Sequence, residues 1–389
     1  MQTDRFRAPT KGITMRFTIF ILMAGGLLGA CSSGVVTTVT PQLEVTNSVY
    51  GRWITEPDGS VMLDPQPSGL VKWRDKLVTL SDRSAIESQR LRLRAIDPAS
   101  AALVDAGMKM ELSAEVAQSC FGSYVGNNPD LESLVVDPDD DSVFYMITED
   151  ATYADEMPLS CQQKYKDTGS SAYPNLLVRL QLNNQQQVLM THVRPIQYGP
   201  ELAVGDSPND GIEALAFGPN RTLYLGLERD SKKQARVFTL KMDESFWQSD
   251  EFAPVADAKL KLPKFDKGNH PINGMDYYET SDGNGYLIAS ARNDSKLWII
   301  DVTGKKETRI LAMDFYAQLT STTDNCQDYE KMANASIEGV AVIDQTVWMV
   351  NDPWKEVYPK NIICLQNKSN YENFSPLLFS LPIQTSWFE

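Results

Sequence analysis

Between Ser68 and Asp352 the chain carries one hydrophobic–polar pattern five times. Each copy opens on a polar residue, continues through a small residue into an apolar run, turns, and returns through a second apolar run that ends on a charge. The copies are Ser68–Asp82, Glu132–Glu149, Glu213–Glu228, Asn273–Arg292 and Glu338–Asp352. The residues between the two runs are rich in Asp, Asn, Gly and Pro, so each copy predicts an antiparallel hairpin. A third strand pattern follows every hairpin, starting at Leu91, Leu176, Arg236, Leu297 and Ile362. A fourth starts at Lys109, Gln187, Lys259, Thr308 and Leu377. No long stretch of helical periodicity follows the first 30 residues.

Four strands per unit, repeated in tandem, predict an all-β fold: a single β-propeller of four-stranded antiparallel blades. A sandwich also supplies many short strands, but not a four-strand unit closing its second strand on a charge each time. The opening polar positions are separated by 64, 81, 60 and 65 residues, a mean of 67.5. At that size five blades need about 338 residues and six about 405, against 389 in the chain and 359 beyond residue 30. Five blades fit better, with six the alternative. The stretch Gln42–Met62 is left over, to close the ring against the last blade or to form a degenerate sixth.

The first 30 residues stand apart from the fold. Arg16 precedes the apolar run Phe17–Leu28, which has signal-peptide length and is too short for a membrane span. Leu28-Gly29-Ala30-Cys31 then resembles the bacterial lipobox, which implies cleavage before Cys31 and lipidation of its thiol. An ordinary signal peptide is the alternative, and Met15 is an alternative start. The expected organisation is a lipoprotein signal peptide at 1–30, a lipidated Ser/Thr/Val tether at 31–41 and the propeller at 42–389. Ser32 and Ser33 follow the cysteine with no aspartate, which in enteric-type lipoproteins implies an outer-membrane destination, facing the periplasm or the cell surface. The expected partner is therefore the membrane, through the lipid on Cys31, and the expected state is a monomer. Four cysteines remain, Cys120, Cys161, Cys326 and Cys364. In an oxidising compartment they give two disulfides in one of three connectivities. Cys120–Cys161 with Cys326–Cys364 is favoured, because each pair then lies within one repeat unit.

Composition narrows the function. At 42% hydrophobic and 22% charged residues the chain is an ordinary globular one. Its net charge is −15, and loss of residues 1–30, with four basic residues and one acid, makes it −18. Such a body repels phosphate backbones, so nucleic acid is excluded as a partner. Cations, or small anionic esters complexed with cations, suit the charge better. No G-x-S-x-G, Walker loop, H-E-x-x-H or dinucleotide fingerprint occurs.

A propeller turns equivalent positions of successive blades toward one axis. The first-strand positions are Ser68, Glu132, Glu213, Asn273 and Glu338, and the second-strand ends are Asp82, Glu149, Glu228, Arg292 and Asp352. Seven of these ten are carboxylates. Gathered together, they raise one another's pKa or hold a cation. Oxygen donors without histidine or thiolate select hard cations, Ca2+ first and Mg2+ second. Glu132, Glu213, Asn273 and Glu338 are the candidate metal ligands. Asp82, Glu149, Glu228 and Asp352 form a secondary acidic layer. Purely structural pinning of neighbouring blades is the plainer reading of the same acids. Arg292 breaks the acidic series, as an internal counter-ion or as the receiver of an anionic substrate group. Asp137, Asp139 and Asp141 mimic the start of an EF-hand loop without its glycine, and read as a solvated turn. His270 lies three residues before Asn273 and could reach the channel mouth as a general acid or base, with a turn or interface position the favoured reading; His192 is expected to be structural.

These motifs together, SGLV…TLSDRS, ESLVVDP…MITED, GIEALAFGPNRTLYLGLERD and SIEGVAV…VWMVNDP, resemble the bacterial phytase-like propellers known for "esterase-like activity of phytase". More distantly they are similar to the calcium-dependent lactonase and arylesterase propellers. The resemblance spans roughly residues 65–355 and implies divalent-cation-assisted attack on a phosphate or carboxylic ester. It departs at Ser68 and Asn273, where the family pattern has Glu, and at Arg292, where it has an acid. The leading expectation is a calcium-dependent hydrolase of phosphoesters or related esters. In it Glu213 or Glu338 handles the attacking water and Arg292 the substrate anion. The alternatives are a non-catalytic binding or scaffold propeller, and a lactonase-like esterase.

Overall fold

The five sequence copies form five antiparallel meanders. The computed structural model describes residues 46–149, 157–169, 175–185, 187–205, 211–323 and 326–389. The lipobox, Cys31 and the tether lie outside the described residues. Unit I comprises Pro67–Trp73, Lys76–Ser81, Arg92–Asp97 and Met108–Leu112. Unit II comprises Leu131–Val136, Val143–Thr148, Leu176–Leu182 and Val188–Gln197. Unit III comprises Ile212–Gly218, Thr222–Leu227, Arg236–Lys241 and the two-residue strand Ala256–Asp257. Unit IV comprises Gly274–Glu279, Gly285–Ala291, Lys296–Asp301 and Arg309–Gln318. Unit V comprises Ile337–Ile343, Thr346–Asn351 and Leu377–Pro382, and takes Asn47–Trp53 as its fourth strand.

The chain is thus all-β, and its first strands neighbour one another in cyclic order. Pro67–Trp73 lies beside Leu131–Val136, then come Ile212–Gly218, Gly274–Glu279 and Ile337–Ile343, which returns to Pro67–Trp73. Side chains alternate across each strand. In unit II, Leu134 packs toward unit I and Val135 toward unit III. The buried apolar residues accordingly form five clusters, one between each pair of successive units, the last joining units V and I. Sheets covered on both faces read as nearly continuous apolar runs. Outer strands also pair in parallel between units: Asn47–Trp53 with Arg309–Gln318, and Val188–Gln197 with both Met108–Leu112 and Ala253–Pro254.

Two of the expected strands are absent from their places. The Ile362 segment is a pair of 3-10 turns around Cys364, not a third strand. The Leu377 segment takes the third place instead, and the leftover N-terminal stretch takes the fourth. The Lys259 segment is irregular, and the short strand Ala256–Asp257 precedes it. Both disulfides have the favoured connectivity, Cys120–Cys161 and Cys326–Cys364. The Asp137–Asp141 turn is not simply solvated. Asp137 is buried and bonds both Tyr145 and Arg221, Asp139 pairs with Arg221, and Asp141 pairs with Arg74. That turn therefore links unit II to both of its neighbours.

Candidate functional site

One structural device aims the first-strand glutamates. In unit II, Leu131 pairs with Thr148 and Ser133 with Ile147, so Glu132 is the extra residue of a β-bulge. Glu213 holds the same place between Ile212 and Ala214, and Glu338 between Ile337 and Gly339. A bulged residue leaves the ladder and its side chain is re-aimed. Unit I shifts register after Ser68, and unit IV, with Asn273 just ahead of its first strand, has no such shift. A second device places the other acids. The backbone N–H groups of Asp82, Glu149, Glu228 and Asp352 donate to the carbonyls of Gln66, Asp130, Gly211 and Ser336, each two residues before the first-strand position of its own unit. The second-strand acid is thereby held beside its first-strand partner.

Asp82, Glu132, Glu149, Glu213, Glu338 and Arg292 line one cavity of about 190 Å³, together with Arg83, Ser84 and Asp130. Glu132, Glu149, Glu213 and Glu338 are all buried. Carboxylate oxygens of Asp130, Glu132 and Glu149 lie within 4.8 Å of one another, and so do those of Glu149, Glu213 and Glu228. Glu149 belongs to both trios. Asn273 joins through its Nδ2, which donates to Glu213 Oε2 at 3.1 Å. Asn269 Nδ2 donates to Glu228 Oε1 at 3.0 Å. Arg292 Nη1 bonds Glu338 and lies 4.0 Å from Asp352, so of its two readings the geometry has the internal counter-ion.

Burial governs the titration of these acids. It pushes Glu132 well above the usual carboxylate range, with Glu213, Asp130, Glu149 and Asp82 adding to the rise. It pushes Glu213 up to about 8, with Glu228 adding and Arg292 opposing. The neighbouring Glu149 carboxyl also opposes the rise of Glu213. Asp352 is raised to about 7 by burial and by Asp82, and Asp82 to about 6 by burial against the hydrogen bond from Ser84. The donor set therefore fits a hard divalent cation. It is all oxygen, it holds excess negative charge, and Asn273 Oδ1 and Ser68 Oγ are buried without a hydrogen-bond partner.

His270 does not enter the cavity lining. Its ring stacks on Phe265 at 3.7 Å, Nδ1 faces Asp294 at 2.7 Å and Nε2 faces the Lys267 carbonyl at 2.9 Å. His192 lies on the outer strand of unit II beside Thr191. The sequence reading missed Asp130 and Arg83. Asp130 sits two residues before the bulged Glu132, on a strand edge that looks like connecting loop in the sequence. Arg83 directly follows the acid that closes its hairpin, as Arg229 does in unit III.

No family model matches the chain, and neither does any curated protein. Among solved structures it is similar to the Malassezia sympodialis allergen Mala s 1, at 10% identity and a TM-score of 0.40, over 82% of this chain and 94% of that one. It is also similar to 1,3Gal43A, an exo-β-1,3-galactanase from Clostridium thermocellum, at 10% identity and a TM-score of 0.46, over 86% of this chain and 62% of that one. The GH43 β-1,3-galactosidase BT3683 is 9% identical with a TM-score of 0.47, over 85% of this chain and 94% of that one. At such distances the likeness does not extend to activity.

Proposed function

We propose that the chain is a five-bladed, phytase-like β-propeller that binds Ca2+, with Mg2+ second, and hydrolyses phosphoesters or related esters at its axial cavity. The observation that carries the reading is the pair of buried carboxylate trios that share Glu149. Asp130, Glu132, Glu149, Glu213 and Glu228 would hold the cation, with Asn273 orienting Glu213 through its amide. A bound divalent cation supplies polarisation of the ester oxygen. The rest of the chemistry belongs to the chain. Glu338 lines the cavity outside both trios and pairs with Arg292; in this reading it orients the attacking water and accepts its proton. Glu213 is the other candidate for that role when it is not engaged as a ligand. Lipidation of Cys31 would hold the protein, as a monomer, on the envelope membrane.

A scaffold reading, with the acids and any cation purely structural, is favoured by one observation: Arg292 already satisfies Glu338 inside the protein. The Cys31→Ser chain separates the two. Ca2+ is expected to raise its melting temperature, and a chelator to reverse the gain; no shift with any divalent cation overturns the hydrolase reading. On a panel of phosphoesters and carboxylic esters, Glu338→Gln and Glu213→Gln are each expected to lose about 100-fold or more in kcat. Rates equal to wild type, or none in any chain, leave the scaffold reading.

A further inference from the structure

The acids at the cavity end of the ring do not all stand in the same electrical setting. Both carboxylate trios are drawn from units II and III. Glu338 and Asp352 of unit V and Asp82 of unit I belong to neither trio. To that side the chain brings two cations of its own. Arg292, at the end of the second strand of unit IV, bonds Glu338 through Nη1 and lies 4.0 Å from Asp352. Lys355, three residues beyond Asp352, pairs through Nζ with Asp64 Oδ2 at 2.9 Å and donates to the Ser84 carbonyl at 2.7 Å. Ser84 lines the cavity. Burial and Asp82 push Asp352 up, and Arg292 and Lys355 both oppose that rise.

The seat of Lys355 is over-determined. Asp64 is 8% and Gln66 2% exposed, and both hold left-handed backbone, with φ of 39° and 42°. Such a conformation persists in non-glycine residues only where the surroundings enforce it. Gln66 Nε2 donates to Asp64 Oδ1 at 2.9 Å and to the Pro353 carbonyl at 3.4 Å, and the Gln66 carbonyl accepts from the Asp82 N–H at 3.1 Å. The segment entering unit I is thus fastened to the segment leaving unit V, with Lys355 between them. Buried carboxylates need a compensating charge, from a side chain or from an ion. Arg292 and Lys355 together carry the charge of one divalent cation, and the guanidinium fills the space beside Glu338 and Asp352. We infer that Arg292 and Lys355 stand in for a divalent cation on units V and I, and that Arg292 confines cation binding to the acids of units II and III. The inference rests on the proposed cation site and deepens it. It implies a latent second site, which an acid at position 292 would complete with Glu338 and Asp352. Asp352 Oδ1, buried without a hydrogen-bond partner, is placed to serve it.

The number of Ca2+ ions bound per chain is the readout, and it needs no catalysis. Equilibrium dialysis of the Cys31→Ser chain counts them, with and without Arg292→Asp. The Arg292→Asp chain is expected to bind one ion more than its parent. That added ion is expected to survive Glu149→Gln, which removes the carboxylate common to both trios. An unchanged count in Arg292→Asp overturns the inference and leaves the cation site on units II and III standing. An added ion that is lost with Glu149→Gln belongs to the trios, and overturns the inference too. If the parent chain binds no Ca2+, the site on units II and III falls, and Arg292→Asp then tests the stand-in alone: an ion bound there supports it and none overturns it. If Arg292→Asp does not fold, Arg292→Gln gives a second measure. The rise in melting temperature that Ca2+ brings is expected to exceed that of the parent by about 2 °C or more, and a rise no larger than the parent's overturns the inference.

Discussion

At the scale of single residues, the site is a set of acids that burial has made reluctant to ionise. Glu213 at about 8, Asp352 at about 7 and Asp82 at about 6 all lie above the values these groups have in an unfolded chain. Between pH 4 and 8 the folded protein therefore holds protons that the unfolded chain has released. Stability rises with pH only where the unfolded state binds more protons, so here it falls as pH rises. A tenfold difference in proton affinity between the folded and unfolded chain is worth about 1.4 kcal/mol. The cation-free protein is expected to lose roughly 5–10 °C of melting temperature between pH 5 and 8. A cation that replaces those protons should flatten the fall, with proton release on binding at pH 7. Melting curves at pH 5, 6, 7 and 8, with Ca2+ and with chelator, check both statements, and a cation-free melting temperature that rises across this range contradicts the assignment. The carboxylates themselves were legible in the sequence, because a propeller repeats its axial positions. The pairing of Arg292 with Glu338 was not, because it depends on which neighbouring unit a side chain turns toward.

At the scale of elements, the order polar–small–apolar has a mechanical reason. In units II, III and V the polar residue is bulged toward the cavity, and the small residue after the first-strand position lies where neighbouring first strands nearly touch. A Cβ on Gly339 would lie 2.6 Å from Leu70 Cβ and 2.8 Å from the Gly69 carbonyl carbon, and one on Gly274 would lie 2.6 Å from the Glu338 carbonyl oxygen. Backbone on the far side cannot yield as a flexible side chain would. Gly339→Ala is expected to cost about 1–3 kcal/mol by overpacking. The same substitution should lower the hydrolysis rate, because Gly339 follows the bulged Glu338. Chemical denaturation and ester-hydrolysis rates of that variant test this; unchanged stability means the close approach is relieved at no cost. The paired apolar runs joined by turns rich in Asp, Asn, Gly and Pro were placed correctly from sequence in every unit. The misplacements fell at Lys259 and Ile362, where apolar residues sit in connections. At Ile362 the disulfide partner Cys364 and 3-10 turns hold the segment. A short apolar run in a connection looks like a strand in a sequence, since hydrophobicity alone does not reveal hydrogen-bond pairing; here Ile363 and Leu365 are exposed and Leu260 and Leu262 half-buried.

At the scale of the whole molecule, closure depends on a strand that is remote in sequence. Asn47–Trp53 pairs antiparallel with Leu377–Pro382 and parallel with Arg309–Gln318, and so ties units V and IV at their outer edges. It also fills the core there: Val49 is 0% and Trp53 7% exposed, and the Trp53 indole N–H donates to the Gln318 carbonyl at 2.8 Å. A ring without it has two open strand edges and an uncovered apolar cluster, which is an aggregation template. The residues from Glu44 to Glu389 form one compact unit that contains this seam whole. A chain starting at Glu44 is therefore expected to melt cooperatively within about 2 °C of the full-length protein. A chain starting at Thr55 should lack a cooperative transition and elute as aggregate, although it retains every site carboxylate. The contrast tests the architecture apart from the chemistry, because the two chains differ only by the closing strand and the residues next to it. If the shorter chain melts cooperatively within a few degrees of the longer one, the ring is held by its inner strands alone. The carboxylate trios would then owe their geometry to the bulges and not to closure.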